Sequence, residues 1–440
     1  MAGVQILDAA FKAVEQSWPR IAVGIVAVLC AYAWTRRVSR APCVPSTVFV
    51  PSTSTYPSAA YTARRKIPVQ QFVADFLRGR IELRDVESGR GMERLADVVS
   101  FRFDFALAWR LLRVFLSTSH SAQADMRGTE KYVLDNNSLL EEILGPDRLP
   151  LVGYIRDGMP DQLEASLNIQ TERVGREYLD LGPDDRLLDV SGQWGDLAVY
   201  LAHGFQVPTC AIISTPTQLA HATNLTGESQ AQRFLRFVTG DYRAIPQCLA
   251  PGIPLFTKAI ALETLDTIGV RNIPAFLRSV NAVLEDGGRL LLQVTTTPSS
   301  IGPRRRYQTS SASDRQGGRG AQEELEVGGD EQLAEHWWYH WFRQSHIQPG
   351  ADTSMFISVE QVMLELQRAG FEVLQLESLT TDAAMSTAVW SNRLCASKRQ
   401  IESELGEATY RAWELYLNWT QSLYMRARLH KHFILALKRA

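Results

Sequence analysis

The sequence has few cysteines and no strong charge of either sign, and both absences exclude classes of protein. Its five cysteines are scattered along 440 residues, with no CxxC pair and no spacing typical of a metal site. His430 and His432 lie two apart in the C-terminal segment and cannot share one helix face, so no metal site is expected there either. The formal net charge of −2 gives no broad positive surface, so we expect no nucleic-acid partner.

Long apolar runs are also scarce, with one exception near the start of the chain. Residues 21–35 read IAVGIVAVLCAYAWT, fifteen residues without a charge, slightly short of the ~17–25 that span a bilayer. Arg36, Arg37 and Arg40 follow this run, and such positive charge marks the cytosolic side. The pattern predicts a single-pass membrane anchor within residues 1–40 and a cytosolic main domain. A cleaved signal peptide and a buried or interfacial helix are the alternatives.

Composition divides the rest of the chain into further parts. Residues 41–62 are rich in Pro, Ser, Thr and Ala, which predicts a flexible linker. Residues 63–165 contain apolar positions three and four apart, which predicts a helical N-terminal region. The main domain is expected over residues 166–440, interrupted by a polar, Gly/Ser-rich stretch at 301–330. That composition is typical of a disordered insertion, and a mobile lid over the site is the other interpretation.

The main domain alternates helices with β-rich runs, the pattern of a doubly wound α/β sheet with parallel strands. Its first strands are expected at residues 186–190, 208–213, 234–238, 257–262 and 288–295. A helix and strand are expected around 359–376, and a long C-terminal helix over 400–429. The aromatic cluster at 337–342 is expected to pack in the core or an interface, with a lipid-facing wall as the alternative.

A nearly complete cofactor loop follows the first of these strands, where residues 187–196 read LLDVSGQWGD. Loops of this kind normally keep several glycines, because the backbone then lies directly against the ligand. Gly192 and Gly195 are present, but Ser191 and Gln193 stand at the other two expected positions. The pattern predicts a cofactor site that has been altered.

The order of these motifs resembles the cyclopropane-fatty-acyl-phospholipid synthase family, which includes the fungal sphingolipid C9-methyltransferases. The segments that carry the resemblance are Leu181–Gly195, Gly240–Pro246, Leu262–Gly269, His346–Gly350, Tyr410–Trp413 and Tyr424–Arg428. The resemblance spans roughly residues 130–435. It implies a Rossmann-like, class I S-adenosylmethionine-dependent methyltransferase sheet with helical additions at both ends. It also implies S-adenosyl-L-methionine as the cofactor.

Through the resemblance, seven positions are expected to bind this cofactor: Asp189, Gly192, Trp194, Gly195, Gln218, Asp241 and Tyr242. Asp189 would order the loop and the methionine end, while Asp241 and Tyr242 would serve the adenine end. Ser191 and Gln193 add side-chain bulk beside the methionine end, which weakens the expected binding.

The catalytic positions depart further from the family. Its synthases hold a bicarbonate that acts as the base, and the positions of its ligands correspond here to Val152, Asp266, Gln293 and Ala383. Because two of these four are apolar, we expect neither bicarbonate nor cyclopropane formation by the family's mechanism. Asp266 is the leading candidate base and Glu263 the second, while Gln293 keeps the ability to hydrogen-bond.

These observations leave three functions open. The first is a membrane-anchored enzyme that methylates a carbon of an apolar, alkene-bearing substrate, which would be a lipid, an isoprenoid or a polyketide-like molecule. The second is a repurposed, non-methylating cyclase or pericyclase, since the apolar changes suit a shaped cavity. The third is a non-catalytic scaffold, because a fold by itself does not determine a function.

Overall fold

The structure is a computed structural model, and the residues it describes all fall in one compact unit of the chain. It describes residues 67–82, 99–101, 122–145, 148–149, 151–155, 163–226, 233–249, 252–268, 270–298, 329–348 and 357–440. The expected anchor (1–40) and linker (41–62) lie outside these residues, as does the expected insertion (301–330) except for its last two residues. Among the helices of the described ranges, none is both long and apolar enough to cross a bilayer.

Helices and strands alternate through the described part of the main domain. The strands are β1 (Ile67–Pro68), β2 (Val99–Ser100), β3 (Leu187–Asp189), β4 (Thr209–Ile213), β5 (Leu235–Thr239), β6 (Phe256–Leu262), β7 (Leu284–Thr296), β8 (Phe371–Ser378) and β9 (His430–Lys438). The helices are α1 (Val69–Leu77), α2 (Ala122–Leu144), α3 (Leu163–Arg173), α4 (Asp196–Phe205), α5 (Pro216–Thr226), α6 (Ile245–Cys248), α7 (Ile273–Val283), α8 (Gly329–Phe342), α9 (Val359–Arg368), α10 (Thr380–Ala396), α11 (Lys398–Leu405) and α12 (Glu407–Met425). Short π-helical turns extend α3 over Val174–Leu179 and α8 over Arg343–Ile347.

Seven of these strands form one sheet, in the order β5-β4-β3-β6-β7-β9-β8. The first five strands in this order, β5-β4-β3-β6-β7, run parallel to one another, as the β/α alternation predicts. The expectation of parallel strands in this part is confirmed, but β9, which follows the helix expected over 400–429 and was not predicted as a strand, runs antiparallel to both β7 and β8 and makes the sheet mixed. The five strand positions expected in the parallel part agree with the structure to within a few residues.

The C-terminal segment also differs from the sequence expectation of one helix over 400–429. The structure divides it into α11 and α12, which ends at Met425, and residues 430–438 return to the sheet as β9. His430 and His432 therefore lie on a strand, where residues two apart share a face, and their ring centroids are 6.0 Å apart. The argument against a metal site that assumed a helix was wrong. Within the described residues, however, no cluster of metal-binding side chains is found.

Helices cover both faces of the sheet, and successive strand residues alternate between two hydrophobic cores. Leu290 and Leu292 of β7 pack with Phe276 of α7 on one face. Leu291, between them, packs with Leu197 of α4 on the other. Burial on both faces explains why central strands such as β3 and β4 contain short apolar runs.

The aromatic residues of α8 pack inside the protein. Trp338, Tyr339 and Phe342 are at most 1% exposed, and Tyr339 and Phe342 contact the ring of Trp419 in α12. The Tyr339 hydroxyl lies 2.7 Å from the Thr420 hydroxyl, which gives this buried polar group a partner. The expectation of core packing is confirmed for these three residues.

Candidate active site

The chain reverses its direction of travel across the sheet between β3 and β6. From β3 it continues to β4 and β5 on one side, whereas β6 and β7 lie on the other. Doubly wound sheets bind ligands in the crevice at this switch point, outside the carboxyl ends of the strands. Asp189 ends β3 and Glu263 follows β6, so the predicted cofactor loop and the predicted base lie on either side of one crevice.

Asp189 organises the loop that follows β3. Its side chain is buried, and one carboxylate oxygen accepts hydrogen bonds from the Gly192 backbone N–H (2.9 Å) and the Ser191 hydroxyl (2.5 Å). Burial raises the pKa of the Asp189 carboxyl, and these hydrogen bonds partly offset the rise. Asp189 is therefore an internal support of the loop.

The two glycines that the loop retains are required by packing within the protein. A Cβ on Gly192 would lie 2.0 Å from the Ile212 carbonyl oxygen, and a Cβ on Gly195 would lie 2.7 Å from the Cβ of Ala222. Both glycines also have positive φ, 39° and 89°, where residues with a Cβ are disfavoured. The positions that lost glycine, Ser191 and Gln193, are those whose side chains add new contacts beside the crevice.

Gly192→Ala is expected to destabilise the protein by about 1–3 kcal/mol, because the added methyl group overlaps backbone that cannot move freely. Thermal unfolding of the full chain measures the change. Gly204→Ala is the matched control, since apart from the local backbone of its own helix no atom lies within 4 Å of its Cβ position, and alanine favours the helix there. An unfolding midpoint for Gly192→Ala equal to that of Gly204→Ala would contradict the packing explanation.

Trp194, in the same loop, is held between two cationic or ionisable side chains. It is 4% exposed, the Arg148 guanidinium carbon lies 4.3 Å from its ring centroid, and the His221 ring meets it edge to face. Arg148 is in turn bound by Glu141 of α2 at 2.6 Å. These contacts give Trp194 a role in packing α2 against the loop.

The remaining predicted cofactor positions lie at the ends of β4 and β5. Gln218 is buried and its Oε1 accepts from the Thr215 hydroxyl at 3.0 Å. Asp241 accepts from the backbone N–H and guanidinium of Arg243, and its side chain is 25% exposed. The ring of Tyr242 packs against Phe276, and its hydroxyl donates to the Ile268 carbonyl. Tyr242 therefore contributes to the core next to the crevice.

A buried ammonium group, which was not predicted from the sequence, lies on the other side of the crevice. Lys431 of β9 is 4% exposed. Its Nζ donates to both carboxylate oxygens of Glu263 at 2.5 Å and to the Thr295 hydroxyl at 2.7 Å, and it lies 3.5 Å from Asp266. We call Lys431, Glu263, Asp266, Thr295 and Gln293 the Lys431 cluster. The continuous apolar run at residues 433–437 was a signal that could have suggested a buried strand, although not the strands with which it pairs.

Within the Lys431 cluster, the two carboxylates have different environments. Asp266 accepts from the Thr295 backbone N–H at 3.0 Å and from its hydroxyl at 2.6 Å, and its side chain is 7% exposed. Glu263 is 27% exposed and adopts a positive φ of 57°, unusual for a residue with a side chain. Gln293, fully buried, donates to Glu263. Glu263 is thus the more accessible acid.

Charge and burial compete within this cluster. Burial raises the pKa of Glu263 to about 7, although the Lys431 ammonium acts in the opposite direction. Burial alone would lower the pKa of Lys431, but the charges of Glu263 and Asp266 raise it above its ordinary value. Lys431 is therefore held in its protonated form, while Glu263 keeps its proton to a higher pH than an ordinary glutamate.

The two apolar positions that the resemblance aligns with bicarbonate ligands lie on neighbouring segments. Val152 and Ala383 are both buried. The Gly153 N–H, next to Val152, donates to the Ser386 hydroxyl, one helical turn from Ala383 in α10. The Leu379 N–H, just before α10, donates to the Lys431 carbonyl. These contacts bring apolar side chains toward the strand that carries Lys431.

Comparison with known proteins shows the family. The sequence profile of "Mycolic acid cyclopropane synthetase" matches residues 160–433. The chain belongs to this family. It is 25% identical over 372 residues to sphingolipid C9-methyltransferase A of Emericella nidulans, covering 83% of this chain and 64% of that protein. It is 24% identical over 360 residues to a "Probable fatty acid methyltransferase" of Mycobacterium tuberculosis, covering 81% of this chain and 72% of that protein.

Solved structures agree on the fold. A crystal structure of the mycolic acid cyclopropane synthase CmaA1 complexed with SAH has a TM-score of 0.58 at 18% identity, covering 71% of this chain and 98% of that one. The [4+2]-cyclase SpnF has a TM-score of 0.52 at 17% identity, covering 71% and 95%. The methyltransferase fold predicted from the sequence is therefore confirmed. Its neighbours include a synthase of this family and an enzyme that forms rings.

Proposed function

We propose that the chain binds S-adenosylmethionine in the crevice between β3 and β6 and methylates a carbon of an unsaturated, apolar lipid. Membership of the mycolic acid cyclopropane synthetase family and similarity to sphingolipid and fatty acid methyltransferases support this proposal. The chain spans 64% of the length of the first sphingolipid methyltransferase it matches. The apolar run at residues 21–35 supports membrane attachment, which would bring a cytosolic catalytic unit to its lipid substrate.

The polar groups on the rim suit a nucleoside cofactor. Asp241 has a partly exposed carboxylate that could accept from the adenine amino group, and the Gln218 carboxamide has both a donor and an acceptor for the sugar hydroxyls. The loop ordered by Asp189 leads into the N-terminus of α4 at Asp196. When bound, the cofactor supplies an electrophilic methyl group on a sulfonium.

The observation that carries the chemistry is the accessible, raised-pKa carboxylate of Glu263. Addition of a methyl group to an alkene carbon leaves a positive charge on the neighbouring carbon. A new double bond forms when an adjacent C–H bond gives its electron pair to that centre and its proton passes to a base. Glu263, with a pKa raised by burial to about 7, is suited to accept this proton at neutral pH.

The other members of the Lys431 cluster position Glu263. Lys431 and Gln293 donate hydrogen bonds to its carboxylate and hold that group in one orientation. Asp266, the first choice from the sequence, is bound by Thr295 and is less exposed than Glu263. The geometry therefore favours Glu263 as the base and Asp266 as a fixed counter-charge.

Binding and label transfer test this proposal directly. We expect the purified full chain in detergent to bind S-adenosylhomocysteine with a submillimolar Kd by calorimetry. We also expect it to transfer labelled methyl from S-adenosylmethionine to an unsaturated ceramide or a monounsaturated phospholipid in micelles. No binding at millimolar ligand would overturn the proposed function.

A non-methylating cyclase is the second candidate, and the apolar Val152 and Ala383 favour it, because they remove polar groups from the site. Such an enzyme would need a shaped cavity and no methyl donor. It would convert a polyene substrate in the absence of S-adenosylmethionine, whereas the methyltransferase would not.

A further inference from the structure

One side chain bridges the crevice at the switch point. The Nε2 atom of Gln193, in the loop after β3, donates to the backbone carbonyl oxygen of Leu262 over 3.4 Å. Leu262 is the last residue of β6, which is the neighbour of β3 in the sheet. A side chain of the protein therefore crosses the place where doubly wound sheets bind their ligands.

Neighbouring side chains of the loop are directed to other contacts. The Ser191 hydroxyl donates to Asp189, and Trp194 is buried against Arg148. Gln193 has a φ of 33°, a conformation that favours glycine. The loop thus carries a long polar side chain at a position whose backbone suits a residue without one.

The position of this bridge relative to the rim determines which part of a ligand meets it. Gln218 and Asp241, which suit a nucleoside, follow β4 and β5, on the opposite side of β3 from β6. A nucleoside bound by these two residues with its 5′ substituent directed across β3 toward β6 would meet the Gln193–Leu262 bridge.

We infer that Gln193 is a specificity-determining residue of the crevice, which lowers the affinity for the amino-acid tail of the cofactor; this inference rests on the proposed function. A ligand with a charged tail between β3 and β6 displaces the carboxamide and forfeits its hydrogen bond to Leu262. A nucleoside without that tail leaves the bridge in place. The chain therefore discriminates only weakly between the complete cofactor and its tail-less nucleoside.

Calorimetry with two ligands tests this inference without requiring turnover. The probes are S-adenosylhomocysteine, which has the amino-acid tail, and 5′-deoxy-5′-methylthioadenosine, which lacks it. Gln193→Gly is expected to tighten S-adenosylhomocysteine binding to the full chain by about two- to tenfold, the range for one hydrogen bond. Binding of methylthioadenosine is expected to change by less than about twofold. Gln193→Ala, which keeps a Cβ, is expected to tighten S-adenosylhomocysteine binding by a smaller factor than Gln193→Gly and to leave methylthioadenosine binding within about twofold.

Gln206→Gly is the matched control. Gln206 is also a glutamine with positive φ, 54°, but it is exposed at the end of α4 and outside the loop. It is expected to leave both affinities unchanged. If the wild type binds S-adenosylhomocysteine and neither Gln193 variant binds it more tightly, the inference is overturned but the proposed function is not. Equal tightening of both ligands would have the same consequence. Failure of the wild type and all variants to bind either ligand would overturn the proposed function and the inference with it.

Discussion

Replacing Glu263 with glutamine is expected to slow methyl transfer by about 10²–10⁴-fold, the usual contribution of a positioned base. Glutamine keeps the size of the side chain and still accepts a hydrogen bond from the Lys431 ammonium, but it does not accept a proton from the substrate. The rate is measured with methyl-labelled S-adenosylmethionine and an unsaturated ceramide in micelles. Affinity for S-adenosylhomocysteine is expected to stay within about twofold of wild type, since the base acts in the transition state.

The pH dependence of the rate separates a base from a structural residue. Because burial raises the pKa of Glu263 to about 7, its proton-accepting carboxylate form increases as pH rises through neutrality. The wild-type rate is therefore expected to increase between about pH 6 and pH 8 and then level off. Glu263→Gln is expected to lose this increase.

Glu414→Gln is the control for this prediction. Burial also raises the pKa of the Glu414 carboxyl, but that group accepts from the Tyr410 hydroxyl within α12. Its replacement is expected to leave the rate and the pH profile unchanged. Equal slowing by the two variants, or a Glu263→Gln variant with the wild-type rate, would remove Glu263 from the role of base.

Lys431→Met is expected to destabilise the fold by about 3–5 kcal/mol at pH 8, the cost of removing one partner of a buried ion pair. Because methionine fills a similar volume, the loss of stability measures the effect of removing the positive charge. Glu263 and Asp266 would remain close together without the ammonium between them. At pH 6 the loss is expected to be smaller, because Glu263, with its raised pKa, is then largely protonated. Thermal unfolding at both pH values measures the difference.

Two further variants locate this effect. Lys438, on the same strand, donates to the backbone carbonyls of Asn281 and Leu284 and pairs with the exposed carboxylate of Asp286 at 3.3 Å. Lys438→Met is expected to cost less and to show no such pH dependence, because an exposed ion pair contributes little. Adding Glu263→Gln to Lys431→Met is expected to recover part of the lost stability, since one unpaired charge is removed. A pH-independent loss, or no recovery in the double variant, would contradict the electrostatic explanation.

Much of the parallel sheet could be predicted from the sequence because its strands are buried on both faces and alternate regularly with helices. The strand β9 was missed, because residues 400–429 have helical spacing and the chain changes to a strand only at His430. The position of β9 between β7 and β8 is a tertiary pairing that no local pattern specifies.

The residues of the candidate site were named on two different grounds. Asp189 was expected because it ends a strand, which is where this fold binds ligands, whereas Glu263 and Asp266 were expected only through the resemblance to the family. Lys431 comes from a distant strand, so its contact with Glu263 depends on the register of β9 against β7. The packing requirement for glycine at position 192 could not be predicted from the sequence either, because the β4 backbone that it contacts belongs to a different segment of the chain.

The late position of β9 in the chain has a consequence for biosynthesis. β8 emerges from the ribosome before β9, the one described strand with which it pairs in the sheet, and one edge of β7 also pairs with β9. Until residues 430–438 are made, two strands present unpaired edges, which are prone to aggregation. The same segment delivers Lys431 to Glu263 and Asp266. Nascent chains that stall before β9 should therefore need chaperone protection and lack an assembled catalytic centre.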